Sequence, residues 1–220
     1  MKVLQSLSTS VGTKIVIGLT GLALAGFLIY HLAGNLLVFL GPDAFNSHAH
    51  WLISNPLIVP AELGLLAIFL VHIYKAVANY GRNLVARPQR YQMKKWARGA
   101  SRKSLGSATM IVSGIVTLAF VVLHLATFKY GPYYAGRVPE ERDLYRLMVE
   151  VFHRRGYVAF YVVTLTIIGL HLRHGISSAS QSLGMVPEAW TRRVLIAGVV
   201  LTLAIAGGFV LIPVYIYFFL

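Results

Sequence analysis

Five apolar stretches, each about as long as a helix needs to cross a hydrocarbon core of roughly 30 Å, restrict this chain more than any other feature. They fall near 15–40, 58–81, 106–129, 156–179 and 194–218, with short connections between them. In lipid every backbone N–H and C=O must be satisfied inside its own segment, so such stretches can only be transmembrane helices. The expected fold is therefore an all-α integral membrane bundle of five helices forming one domain over 1–220. Composition agrees: 57% of the 220 residues are hydrophobic and 12% charged, and mean hydropathy is +0.68. The first stretch is longer than a secretory signal core and lacks a small-residue exit, so it is expected to stay as an uncleaved span.

The net charge of +13 is explained by topology before nucleic acid. Residues 82–104 hold Arg82, Arg87, Arg90, Lys94, Lys95, Arg98, Arg102 and Lys103 without an acid, whereas 41–59 hold Asp43 and no Lys or Arg. The positive-inside rule then places the N-terminus, the second connection and the fourth connection, with Arg192 and Arg193, in the cytoplasm, and the C-terminus outside. The third connection mixes acids and bases. Pro139 followed by Glu140 and Glu141 reads as a helix start, and Leu144, Leu147, Met148, Val151 and Phe152 recur on one face. That pattern predicts an amphipathic helix on the outer interface.

There is no cysteine, so disulfides, cysteine-ligated iron–sulfur clusters and c-type haem attachment are excluded. The connections carry no phosphate-cradling glycine loop, no dinucleotide motif and no Ser/His/Asp constellation.

Chemistry is concentrated in histidines. His31, His72, His124 and His171 each lie inside a different apolar stretch, and ionisable groups at membrane depth are costly and usually functional. His31 lies about 17 residues beyond Lys14 and His124 about 20 beyond Ser104. His72 and His171 lie about ten residues short of the cytoplasmic ends of their spans. Depth therefore sorts them into an outer pair, His31 with His124, and an inner pair, His72 with His171. Two imidazoles at one depth on different helices are a cradle for b-type haem. Around His171, the residues Gly175, Ser178 and Ser182 share its stripe, with His174 and Gln181 beside it. The polar members and His174 are candidates for holding haem propionates, and His174 is also an alternative ligand. A transporter or proton relay built on the same histidines stays open as a rival. It is disfavoured because, apart from Glu62, the spans hold no acid and no paired broken helices.

One interior histidine on each of four consecutive helices, with Thr20-Gly21-Leu22 leading to His31-Leu-Ala-Gly-Asn35 and His171-Leu-Arg-His-Gly175 leading to Ser178-Ala-Ser-Gln-Ser-Leu-Gly184, resembles the five-helix, di-haem cytochrome b anchor subunit of succinate:quinone oxidoreductases (succinate dehydrogenase and fumarate reductase). The resemblance covers essentially the whole chain; another di-haem, quinone-linked cytochrome b subunit is the neighbouring alternative. It implies two haems b on the four histidines, menaquinone as the membrane substrate, and a bacterial plasma-membrane location. It also implies docking to an iron–sulfur subunit and to a flavoprotein subunit that carries the succinate and fumarate chemistry. A higher oligomer of that complex is compatible with it. Glu62, after Pro60 in a helix first turn where a carboxylate suits the dipole, is the candidate proton carrier for quinone on the outer side, with His48, His50 and Trp51 near it in sequence. Arg82, Ser101, Lys103 and Ser104 are the corresponding candidates for a cytoplasmic quinone pocket or for partner contacts.

Overall fold

The structure, a computed structural model, describes residues 9–86, 105–136, 142–184 and 188–220. Seven α-helices carry the fold: α1 Ser10–Leu36, α2 Pro42–Ser54, α3 Ile58–Val85, α4 Leu105–His124, α5 Leu144–Phe152, α6 Arg155–Ser182 and α7 Thr191–Phe219. Five helical segments among the described residues are long and apolar enough to cross a membrane, including Ser10–Leu40 and Thr109–Lys129, which extend α1 and α4. No strand occurs among the described residues, only an isolated antiparallel bridge between Ala135 and Arg142.

Helix ends follow local chemistry. Thr9 caps α1 by accepting from Gly12 N–H at 3.0 Å. Gly41, at φ 96°, ends the 3-10 turn Leu37–Leu40 and delivers Pro42 to the first turn of α2. The Asn55 side chain accepts from Leu57 N–H at 2.9 Å and turns the chain into α3.

In the bundle α6 is central, packing on α7, α1 and α4, while α3 leans on α1. Close crossings need small residues, because helices in lipid are held by packing more than by apolar burial. A Cβ on Gly169 would come within 2.8 Å of Ala206 Cβ, and one on Gly208 within 2.9 Å of Leu32 Cδ2.

The expected short amphipathic helix is present, with two differences. It begins at Leu144, with Asp143 as N-cap accepting from Arg146 N–H at 2.9 Å; residues 137–141, including Pro139, lie outside the described residues. Its apolar face does not lie in an interface. Leu147, Met148, Val151 and Phe152 are buried with Leu32, Val38, Ile212 and Ile216 in the main core, because the ends of α1 and α7 offer that face an apolar surface.

A second short helix, α2, folds beside it where a plain connection was expected. Asn46 joins the two: its amide donates to Asp143 Oδ1 at 2.8 Å and its carbonyl accepts from Tyr145 N–H at 3.0 Å. Asn46→Ala leaves the Tyr145 N–H without its acceptor and removes one of the two donors to Asp143, so it should cost roughly 1–3 kcal/mol. Thermal unfolding in detergent checks this; an unchanged midpoint would mean the joint carries no load.

Candidate functional site

The four interior histidines converge as two pairs. His31 on α1 and His124 on α4 face each other with ring centroids 5.9 Å apart and planes at 88°. This pair sits toward the end of the bundle covered by α2 and α5. His72 on α3 and His171 on α6 lie within electrostatic range of one another, nearer the opposite end. Eleven residues separate the two levels along α1, from Thr20 beside His72 to His31, which is about 16 Å of helix.

Each ring is oriented by neighbours. The His72 Nδ1 lies 3.0 Å from Thr20 Oγ1, and the His171 Nδ1 2.9 Å from Ser113 Oγ. Both hydroxyls spend their single proton on their own helix: Thr20 donates to Val16 C=O at 2.7 Å, and Ser113 to Thr109 and Met110 C=O at 3.1 Å. With those protons on the helix carbonyls, each hydroxyl is free to accept from an Nδ1–H, which leaves the lone pair on Nε2. That is the tautomer a metal ligand needs.

Glycine lets each ring lie against backbone. A Cβ on Gly21 would stand 3.3 Å from His72 Cε1, and one on Gly114 3.5 Å from His171 Cε1.

The other pair is framed by aromatics. Phe27 stacks on His31 at 5.3 Å and 14°, and Phe120 on His124 at 5.5 Å and 21°. Tyr161 places its hydroxyl 3.2 Å from His124 Nδ1. The Asn35 amide donates to His31 C=O at 2.8 Å and stands 3.4 Å from both ring nitrogens, so it selects neither. After His124 the helix widens into a π turn, Leu125–Lys129, where a plain helix was expected; such turns are frequent at functional sites. The Arg142 guanidinium closes it by donating to the carbonyls of Lys129, Gly131 and Pro132.

These features fit a bis-histidine haem. In the His31/His124 pair the two imidazoles come from separate helices and stand with ring centroids 5.9 Å apart. In the other pair Nδ1 faces a hydroxyl on each ring, so Nε2 is the nitrogen turned away from that partner.

The remaining candidates are placed as follows. His174 is half-buried one turn beyond His171, toward the N-terminal end of α1; Ser178 and Gln181 are exposed and Ser182 is half-buried. Glu62 forms an ion pair with Lys129, tying α3 to the π turn. His48 on α2 reaches down to α1, where a Cβ on Gly34 would be 3.0 Å from its Nε2, and stacks on Trp51 at 6.0 Å. Arg82 donates to Thr13 Oγ1 at 2.7 Å. Ser101, Lys103 and Ser104 lie outside the described residues, as do Arg87, Arg90, Lys94, Lys95, Arg98 and Arg102.

Sequence reasoning did not assign roles to Thr20 and Ser113. A repeated pattern marks them: hydroxyl, Gly, five residues, Phe, three residues, His, as Thr20-Gly21…Phe27…His31 and again as Ser113-Gly114…Phe120…His124. The two copies place the same residue types at the same two levels of α1 and α4.

Among proteins of known role, the chain is similar to the succinate dehydrogenase cytochrome b558 subunit of Bacillus subtilis (strain 168), with 27% identity over 171 residues, covering 76% of this chain and 77% of that protein. No family model matches the chain, and no solved structure matches it.

Proposed function

We propose that this chain is the membrane-anchoring cytochrome b subunit of a succinate:quinone oxidoreductase. It would pass electrons from an iron–sulfur partner to a membrane quinone, with menaquinone as the substrate and a bacterial plasma membrane as the setting. The observation that carries the reading is the placing of four interior histidines at two levels, with His31 facing His124 at one and His72 and His171 each beside a helix hydroxyl at the other. The similarity to a succinate dehydrogenase cytochrome b558 subunit points the same way.

His31 with His124 and His72 with His171 hold the irons of two haems b. Held by two histidines each, such haems would supply one-electron transfer. The protein's part is orientation. Thr20, Ser113 and Tyr161 fix the ligand rings, while His174, Ser178, Gln181 and Ser182 serve the propionates at the end of α6.

Loop charge puts the N-terminus in the cytoplasm, so the His72/His171 pair is inner and the His31/His124 pair, beneath α2 and α5, is outer. An iron–sulfur subunit and its flavoprotein then dock on the cytoplasmic face, against the basic stretch 82–104. Glu62, which pairs with Lys129 five residues beyond His124, would be the proton carrier for quinone on that side.

Adding succinate to the isolated complex should reduce its haem absorption bands. A complex that holds haem and binds succinate, yet shows no such reduction, would overturn the assignment. Charge reversal at Lys94, Lys95 and Arg98 should release the soluble subunits while haem stays in the anchor. Co-purification checks this, and an intact complex at moderate salt would show that these residues serve only topology or anionic lipid.

A further inference from the structure

The two hydroxyls under the inner histidines belong to a repeated device. Thr20 on α1 faces His72 on α3, and Ser113 on α4 faces His171 on α6. Each is followed by the glycine whose missing Cβ admits the ring, since a Cβ there would meet Cε1 at 3.3 or 3.5 Å. Each stands eleven residues before the outer ligand on its own helix. One helix thus supplies a ligand at one level and a hydrogen-bond acceptor at the other.

Serine and threonine in apolar helices usually bond only to the preceding turn. Thr117, Thr164, Thr166 and Thr202 do so. Thr20 and Ser113 do that and also stand within hydrogen-bond distance of a histidine Nδ1. The other two rings have different partners: His31 has the Asn35 amide, which selects no nitrogen, and His124 has the Tyr161 phenol, which comes from a neighbouring helix and has no following glycine.

We propose that Thr20 and Ser113 are positioning residues of the His72/His171 haem, holding both ligands as Nδ1–H tautomers and thereby lowering that haem's reduction potential. The inference rests on the bis-histidine reading above. An acceptor on Nδ1–H makes the imidazole more basic. A more basic ligand favours the ferric state, and removing the acceptor shifts the potential upward. The outer haem has neither hydroxyl and is untouched.

The test is a redox titration, with electron paramagnetic resonance of the ferric haems, on the full complex carrying Thr20→Val or Ser113→Ala. Thr166→Val, at an exposed threonine that bonds back to the Val162 carbonyl, is the control. The component that disappears in His72→Ala should move to a more positive potential and change its ferric signal in both variants, with the other component unmoved. Thr20→Ser and Ser113→Thr should keep the parental values. Loss of that component in Thr20→Val, with a normal spectrum in Thr20→Ser, carries the same meaning. An unmoved potential and signal would overturn the proposal, as would equal shifts in both components or the same shift in Thr166→Val. A parent complex without haem would overturn the reading beneath it as well.

Discussion

His31→Ala and His124→Ala should each abolish the same haem, and His72→Ala and His171→Ala the other one. The pairing follows from geometry. The His31 and His124 rings are 5.9 Å apart, whereas the His72 level is about 16 Å of helix away. An alanine removes the imidazole itself, and the nearest other imidazole at that level, His48, lies against Gly34 one turn along α1 and not between the two rings. His174 does stand near His171, but it is one turn along α6. Low-temperature spectra and redox titration of the four variants separate the components. If His31→Ala and His72→Ala removed the same component, the two-level arrangement would be wrong.

Gly131→Ala should be the most damaging small substitution. A Cβ there would collide with the Thr127 carbonyl of the π turn, and backbone atoms cannot step aside as a flexible side chain can. The turn is anchored on both sides, by Arg142 on its last carbonyls and by the Lys129–Glu62 ion pair. Strain of this kind costs roughly 2–4 kcal/mol. Since the turn directly follows His124, the expected readout is a lowered unfolding temperature together with partial loss of the outer haem. Gly26→Ala is the control, because nothing lies within 4 Å of its added Cβ. Equal behaviour of the two variants would show that the π turn yields freely.

Much of this was legible from the chain itself. Apolar length alone locates the five spans, since a membrane admits few alternatives to a helix. Depth counted at a constant rise pairs the histidines, because α1 and α4 run one way and α3 and α6 the other. The short helix α2 was not legible: His48, His50, Asn46 and Ser47 break its apolar run, and it is held by a partner, Asp143, far along the sequence. For α5 the periodicity identified the buried face correctly but not what covers it, since amphipathicity is the same toward lipid and toward the ends of α1 and α7. Thr20 and Ser113 look like ordinary helix hydroxyls until a second helix brings an imidazole to them. Their signal was the repeated spacing between α1 and α4, at an offset far longer than the solenoid periods usually searched.

The account stands most directly on haem stoichiometry. Pyridine haemochromogen analysis of the purified chain, paired with a reduced-minus-oxidised spectrum, should return two b-type haems per polypeptide. One haem would contradict the two-pair arrangement, and none would contradict the redox function altogether.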